Sequence, residues 1–397
     1  MKDSGAIFLP KGFKFASVTA GIKASAKPDL AMIVAEGAAS ASALFTRNSI
    51  VAAPIEVGRE SLRQSRGKLR AVIVNSGNAN CATGRSGISA CKTVCRQLAR
   101  LLKCNPAEVF PSSTGIIGVP LPVQKVTARL PLLLQTAGSS ADQLRQFANA
   151  ILTTDTRAKL ASVPLRNRQA AITGVAKGSG MIHPQLATML VYILTDVEAS
   201  ASELRSSLRK ACSDTFNAIS VDGDTSTNDT VLSLASGASG IPLQSIKREF
   251  EPAMRAVCQS LAEQIVADGE GVQHVIRLRI EEAKHRAQAL QIARAISHSL
   301  LVKTAWAGAD PNWGRILAAI GRSGATVKPA KVSIRIGEQL VCRGSVRCAF
   351  DEKLAHQELS QPESKITVRL GNGRASLDFL TTDLTADYVR INADYST

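Results

Sequence analysis

The chain has 397 residues, of which 45% are hydrophobic and 20% are charged, a composition typical of a folded globular protein. This length suffices for two domains or for one large layered domain with a sizeable core. No stretch approaches the ~20 apolar residues of a membrane span, and the start, MKDSGAIFLPKGF, has no apolar segment of signal-peptide length. We therefore expect a soluble cytoplasmic protein that does not engage a membrane.

The net charge of +16 is concentrated in the first half of the chain. Residues 1–187 contain 24 Lys and Arg against 8 Asp and Glu, whereas residues 188–397 contain 24 of each kind. Such a charge suggests nucleic-acid binding, but the basic residues are scattered, aromatic residues are only 4% and no binding motif accompanies them. A basic face that attracts small acidic substrates fits equally well. We expect no nucleic-acid partner and keep a basic nucleic-acid-binding or scaffold protein as the rival class.

Apolar β-branched runs alternate with helical patterns along the whole chain, which predicts an α/β fold of packed layers. In chain order the patterns predict a strand with an Asn/Gly loop (69–80), a helix (about 89–104), a strand with a glycine turn (109–118), a helix (141–152), a buried strand after residue 188, a helix (201–219) and two hairpins (331–344 and 365–380). The second hairpin is predicted from Asn372-Gly373, a strong two-residue turn signal. No repeat or long linker is visible, so we expect one interleaved globule.

Five loops rich in Gly, Asn, Ser and Thr are predicted to follow buried strands, where sites in layered α/β proteins often form. They are NSGNAN (75–80), SSTGIIG (112–118), KGSGMIHP (177–184), SVDGDTSTNDT (220–230) and GADPNWGR (308–315). The fourth is not an EF-hand, because Thr227 and Ser233 stand where a calcium loop needs Gly and Glu. No cysteine spacing is typical of zinc, and Cys91 and Cys95 are expected to be buried free thiols. We predict neither a metal nor a cofactor.

A threonine at the start of a core strand has two interpretations. In KGSGMIHPQLATMLVYILTD (177–196), Thr188 follows a loop rich in Gly and Pro and opens a run apolar enough for a buried strand. Threonine is common in strands, so spacing alone favours packing. The alternative is that the chain is cut before Thr188, which would make its hydroxyl a nucleophile and its own amine the base. His183 lies nearby in the sequence, but a structural role is favoured for it.

Several long strings together resemble the ornithine acetyltransferase family of arginine biosynthesis, whose members are also called glutamate N-acetyltransferases. They are TTDTRAK (153–159), AKGSGMIHPQLATML (176–190), SVDGDTSTND (220–229), DGEG (268–271), LVKTAWAGADPNWGRI (301–316) and INADYST (391–397). The resemblance, which runs almost end to end, implies that the chain cuts itself at Ala187-Thr188 and that Thr188 then carries the acetyl group. It also implies an oxyanion hole made of the Thr114 hydroxyl and the Gly115 amide.

The resemblance further implies which residues contact the substrates. These are Thr154, Lys177, Thr188, Glu270, Asn392 and Thr397. Lys177 suits a substrate carboxylate and Glu270 a cationic side chain or amine, whereas the choice of threonine within 153–156 stays open. The segment VQHVIRLRI after DGEG departs from the family pattern, which puts the local shape around Glu270 in doubt.

The implied enzyme is an α/β sandwich of the ornithine acetyltransferase type, cut into an α chain (1–187) and a β chain (188–397) that pair as an α2β2 heterotetramer. It would transfer the acetyl group of N2-acetyl-L-ornithine to L-glutamate in two covalent steps. An aminopeptidase or amidase with the same self-cut nucleophile and water as acceptor is the alternative. No adenine- or pantetheine-binding string is legible, so whether acetyl-CoA is a second donor stays open.

Overall fold

The computed structural model describes residues 6–183 and 189–394, which form two β-sheets with helices packed against them. The strands are β1 (Phe13–Val18), β2 (Leu30–Phe45), β3 (Lys68–Asn78), β4 (Val109–Ile116), β5 (Lys159–Leu165), β6 (Ala170–Lys177), β7 (Leu190–Thr195), β8 (Thr230–Ala235), β9 (Val275–Ala283), β10 (Ser333–Ile336), β11 (Gln339–Arg343), β12 (Val346–Arg347), β13 (Glu363–Arg369) and β14 (Ala375–Thr382). The helices are α1 (Ala53–Gln64), α2 (Gly84–Leu102), α3 (Val123–Gln135), α4 (Ala141–Ala150), α5 (Ala201–Ser213), α6 (Lys247–Ala267), α7 (Arg286–Ser297), α8 (Leu300–Ala307), α9 (Trp313–Gly321), α10 (Glu352–Leu359) and α11 (Ala386–Asp394). No helix within these residues is long and apolar enough to cross a membrane.

The first sheet has the strand order β4-β3-β2-β8-β7-β6-β5, and β1 pairs with the first half of β2. Strands β7 and β8 come after residue 188 in the chain but lie between β2 and β6, which come before it. Every residue of β7 (LVYILT) is buried, as expected of a central strand with helices on both faces. Helices α5 and α6 cover one face of this part of the sheet, and α4 covers the other.

The second sheet has the strand order β12-β11-β10-β13-β9-β14. Helices α7 to α10 cover one of its faces, where apolar strand residues pack around Trp306 in a separate core. Buried and more exposed positions alternate along β9 and β13, because successive side chains point to opposite faces of a sheet. The two sheets are connected by packing of α6 on β14, and Leu380 of β14 forms an isolated bridge with Ile219, a residue of the apolar core beneath the first sheet.

The predicted α/β layered fold is confirmed, and so are most of its elements. Strands β3, β4 and β7 lie where the apolar runs predicted them, and β10 and β11 form the hairpin predicted at 331–344. Helices α4 and α5 begin at the predicted residues because each starts with a capping box, formed by Ser140 with Gln143 and by Ser200 with Glu203.

The hairpin predicted at 365–380 is wrong. Strands β13 and β14 do not pair with each other, because β9 lies between them, parallel to β13 and antiparallel to β14. The backbone amides of Asn372 and Gly373 donate to the carbonyl of Glu282, at 2.8 and 2.9 Å. The Asn-Gly turn therefore wraps around the end of a third strand instead of closing a two-stranded hairpin.

Two predicted helix boundaries differ from the structure. Helix α2 begins at Gly84, five residues before the predicted start, and its first turn closes tightly against the preceding loop. A Cβ at Gly87 would lie 1.9 Å from the Thr83 hydroxyl, so this first turn of the helix can form only with glycine at position 87. Helix α5 ends at Ser213 instead of 219, because Thr215 leaves the helical conformation and turns its hydroxyl back to the Ala211 carbonyl.

Candidate active site

Four of the five predicted polar loops meet at one edge of the first sheet. The Asn228 amide, in the loop before β8, donates to the carbonyl of Ala79 at 2.7 Å and to that of Ser113 at 2.8 Å. In the same loop, the Asp222 carboxylate accepts a hydrogen bond from the Met181 amide at 2.6 Å. Two of the five loops were wrongly expected to follow strands. The loop 220–230 follows a short 3-10 helix (Phe216–Ala218) and precedes β8, and the loop 308–315 connects helices α8 and α9 beside the second sheet.

The predicted oxyanion residues, Thr114 and Gly115, lie near the end of β4, where this strand runs parallel to β3. Gly115 faces Gly77 across the two strands and has φ of 130°, a conformation that favours glycine. A Cβ at position 115 would come within 2.3 Å of the Gly77 carbonyl carbon, so the close approach excludes any side chain. The two strands therefore come closest together at the residues that the resemblance implies for the oxyanion hole.

Lys177 ends β6 with only 4% of its surface exposed, and its ammonium group reaches the Thr114 hydroxyl. The Nζ to Oγ1 distance is 3.4 Å, and a shorter bond of 2.8 Å joins Nζ to the Thr153 hydroxyl. Thr154 turns elsewhere, with its Oγ1 2.7 Å from Ser179 Oγ. Thr153 therefore contacts Lys177, whereas Thr154 contacts Ser179 in the loop that follows β6.

Glu270 and Asn392 also come together, although 122 positions separate them. The Asn392 amide donates to the Glu270 carboxylate at 2.9 Å, which ties α11 to the DGEG turn. The Glu270 backbone amide donates to the Ser179 carbonyl at 3.1 Å, and a Cβ at Gly180 would lie 2.5 Å from the Glu270 carboxyl group. Ser179 and Gly180 therefore connect the lysine side of the site to its carboxylate side.

Three predicted site residues, Ala187, Thr188 and Thr397, lie outside the described residues. The chain on either side of 184–188 is held by the loop before β8. Val221 donates its amide to the Ile182 carbonyl at 2.9 Å, and the Met189 amide donates to Asp229 Oδ1 at 3.1 Å. Both neighbours of the segment are thus anchored at the edge where the other predicted residues meet.

A buried ion cluster beside the site was missed by the sequence analysis. Lys159, fully buried, donates to Asp155 at 2.7 Å and to Asp268 at 2.6 Å. Burial raises the pKa of Asp155, but the charges of Lys177 and Lys159 outweigh it and lower that pKa to about 2. Asp155 also accepts the Gly178 amide at 2.6 Å. The cluster holds the 153–159 loop, the end of β6 and the DGEG turn in a fixed relation.

Two further carboxyl groups flank the site and were not singled out. Burial raises the pKa of Asp229 well above its usual range, although the Met189 amide lowers it. Burial likewise raises the pKa of Asp222 to about 6, despite the amides of Asp224 and Met181. Both belong to the string SVDGDTSTND (220–229), but a run of Asp, Thr and Ser gives no sign of which side chains become buried.

A second amine and a histidine pair complete the surroundings. Burial lowers the pKa of Lys23 to about 8; Asp29 opposes this shift and the charge of Lys177 adds to it. His183 Nδ1 and His298 Nε2 are 2.8 Å apart, and burial lowers the pKa of both rings, to about 4 and about 3. His183 therefore has a partner within the fold. No group of three or more described His, Cys, Asp or Glu side chains is arranged to hold a metal ion.

Comparison with known proteins gives matches over nearly the whole length. The ArgJ family model matches residues 14–397. Arginine biosynthesis bifunctional protein ArgJ of Thermus thermophilus is 44% identical over 393 residues, covering 99% of this chain and 100% of that protein. The protein of the same name from Methylococcus capsulatus is 42% identical over 395 residues, covering 97% and 95%. A crystal structure of that protein from Bacillus halodurans is 39% identical, covers 51% of this chain and 98% of its own, and has a TM-score of 0.49.

These similarities confirm the predicted class of enzyme, an acyltransferase of arginine biosynthesis. The chain belongs to the ArgJ family.

Proposed function

We propose that this chain transfers the acetyl group of N2-acetyl-L-ornithine to L-glutamate through an acetyl-Thr188 intermediate. The observation that carries the proposal is the contact between the Lys177 ammonium group and the Thr114 hydroxyl at 3.4 Å. It puts a buried cation suited to a carboxylate next to a hydroxyl suited to an oxyanion. An N-acetylated amino acid carries these two groups, its α-carboxylate and its amide carbonyl, on neighbouring atoms.

In the first half-reaction the Thr188 hydroxyl attacks the acetyl carbonyl and its own α-amine accepts the proton. A reference pKa near 8 suits that amine to act as a base at neutral pH. The negative charge that develops on the carbonyl oxygen is stabilised by the Thr114 hydroxyl and the Gly115 amide. The bond from the acetyl carbon to the ornithine N2 then breaks, the proton passes to the leaving nitrogen, and the acetyl ester of Thr188 remains.

In the second half-reaction the amine of glutamate attacks the same ester and restores the free hydroxyl. Ornithine and glutamate share an α-carboxylate, so Lys177 serves both in turn. Glu270 and Asn392, joined at 2.9 Å, are the groups we assign to the side-chain end, where a carboxylate favours the ammonium of ornithine and an amide tolerates the carboxylate of glutamate. Thr154 and Thr397 complete the proposed contacts.

The nucleophile arises by cleavage at Ala187-Thr188, which gives an α chain of residues 1–187 and a β chain of residues 188–397. The anchoring of Ile182 and Met189 supports this assignment, because it holds the chain on both sides of the proposed cut at the edge where Lys177 and Thr114 lie. We further propose that the two chains pair as an α2β2 heterotetramer in the cytoplasm.

Kinetics with varied acetylornithine and glutamate test the proposal. Parallel double-reciprocal lines are expected, and acetylornithine alone should leave a β chain heavier by one acetyl group in intact-mass spectra. Converging lines without an acetylated β chain would refute the covalent route. Ornithine release that is equally fast without glutamate, with free acetate as the product, would favour the self-cut aminopeptidase or amidase.

A further inference from the structure

A cavity lined by six arginines lies beside the candidate active site. Its volume is about 660 Å³, and it lies between the end of β2 and helices α1, α5 and α7. The arginines are Arg47, Arg59, Arg205, Arg209, Arg286 and Arg294, and no Asp or Glu is among the described lining residues. Arg205 and Arg209 are one helical turn apart on α5, so both guanidinium groups leave the same side of that helix.

The positive charge of this cavity is only partly compensated by ion pairs of its arginines. Arg286 is paired with Asp214 at 2.6 Å. Arg59 lies over the Phe45 ring, 5.3 Å from its centroid. Within residues 6–183 and 189–394, Arg47, Arg205 and Arg209 form no ion pair. Burial, together with the charge of Arg47, lowers the pKa of Arg294, as expected where guanidinium groups are crowded. A bound anion would relieve this repulsion.

The cavity adjoins the loops that build the candidate active site. The Thr46 hydroxyl donates to the Ser226 carbonyl at 2.8 Å, and the Asn48 amide donates to the Thr225 carbonyl at 2.9 Å. Arg47, between these two residues, is therefore fixed next to the loop before β8. On the opposite side, the pKa of His183, the residue before the 184–188 segment, is lowered mainly by burial and to a lesser extent by the charge of Arg294. Arg294 is therefore close enough to His183 for their charges to interact.

The chemistry of the lining selects the class of ligand. Guanidinium groups bind phosphate oxygens through paired hydrogen bonds, and arginine is favoured over lysine where planar, bidentate contacts are made. The volume fits a small molecule and not a folded partner. One carboxylate would neutralise a single guanidinium, whereas adjoining phosphates supply several negative charges to one cavity. We infer that the arginine cavity binds the phosphate groups of a multiply phosphorylated ligand next to the acetyl-transfer site.

Two sources share this chemistry. One is a free polyphosphate anion or nucleotide that would act as a regulator. The other is the phosphorylated part of a nucleotide thioester such as acetyl-CoA, which would then be a second acetyl donor. The second source deepens the proposed function and rests on it, but the existence of the anion site does not.

Direct binding measurements at low salt test the inference. Calorimetric titration of the purified protein with pyrophosphate and with coenzyme A should show saturable binding, one site per 397 residues, that weakens as salt is added. The double variant Arg205→Gln/Arg209→Gln should lose at least about 10-fold in affinity for both, because two charge-assisted contacts are removed. The matched control is Arg129→Gln, an exposed arginine of α3 outside the cavity, which should bind as the parent does.

The outcomes are distinct. Pyrophosphate that displaces coenzyme A supports a donor seated by its phosphates; pyrophosphate that binds without displacing it supports a free anion. Absence of saturable binding by either ligand, or equal binding by the double variant with unchanged circular dichroism, overturns the inference. Because the readout is binding, a failure of acetyl transfer would count against the proposed function and leave this result standing.

Discussion

The two sheets treat polar side chains in opposite ways. At one edge of the first sheet, polar residues are buried where strands end, among them Asn75, Ser76, Asn78, Ser113 and Lys177. On the open face of the second sheet, charged residues pair across strands while staying partly in water, as Arg277 does with Glu363, Arg279 with Asp378 and Arg369 with Glu281. Burial of polar groups is costly and is maintained at the site, whereas exposed pairs contribute little.

The two sheets contribute different residues to the candidate active site. The first sheet and its loops supply Lys177, the proposed oxyanion donors and the buried ion cluster. The second sheet contributes through its last strand: after β14, Thr385 donates its hydroxyl to the Gly271 carbonyl, and α11 then brings Asn392 to Glu270. Substitutions of the site residues in the first sheet should therefore change chemistry or stability strongly, and those on the open face of the second should have only small effects on stability and none on chemistry.

The largest expected effect follows from Thr188→Ala. Without the hydroxyl neither chain cleavage nor acetyl transfer can occur, so the variant should remain one species of 41.9 kDa with no measurable activity. Intact-mass spectrometry of the purified protein decides it. Thr195→Val, at the end of β7, is the control and should be cut normally. An active, uncut wild-type protein would contradict the mechanism.

Lys159→Met should destabilise the fold by about 3–5 kcal/mol, because it leaves the Asp155 and Asp268 carboxylates buried without their shared cation. Urea unfolding followed by circular dichroism measures the change. A loss below about 1 kcal/mol would show that Lys177 and Arg157 compensate, and the cluster would then not be the support that we assign to it.

Thr114→Ala should lower kcat for both half-reactions by roughly 10²-fold, if its hydroxyl is one oxyanion donor. KM should change little, because the donor acts on charge that appears in the transition state. Thr114→Ser, which keeps the hydroxyl, should recover most of the rate. Thr367→Ala, a half-buried threonine of β13, is the control in the other sheet. A raised KM with unchanged kcat would reassign Thr114 to substrate binding.

The smallest effect is expected for Asp378→Asn on the open face of the second sheet. The Arg279–Asp378 pair is 2.5 Å long, but the two side chains are 32% and 58% exposed. Exposed pairs of this kind are worth about 0.2–1 kcal/mol, and Arg279 keeps Glu281 as a partner. Urea unfolding should show a change within this range and no change in acetyl transfer. A larger loss would remove the contrast between the two sheets.

Local pattern was sufficient for most single elements. Apolar runs predicted β3, β4 and β7, and capping residues marked the starts of α4 and α5. Pairing between strands was harder, since the Asn372-Gly373 signal is local while the partner of both flanking strands, β9, lies about 90 residues earlier. A turn signal shows that the chain reverses its direction. It does not show whether another strand lies between the two strands that the turn connects.

The residues of the candidate site were also predictable only in part. Long family strings made Thr114, Lys177, Glu270 and Asn392 predictable, and the structure brings them to one edge. The ion cluster was not predictable, because Asp155 and Lys159 have the spacing of an exposed helical pair and Asp268 joins them from 109 positions away. These three charged residues position the loops of the site because they are buried, and their burial depends on packing across the whole fold.

Because β7 and β8 lie between β2 and β6, a fragment ending at residue 187 has a gap two strands wide in its sheet. Strand edges exposed at such a gap promote aggregation. The two proposed chains would therefore fold as one and be cut afterwards, so that every molecule receives one copy of each. Because such a cut would not be reversed, a molecule that unfolded after it would lack the covalent link between β6 and β7 with which it had folded.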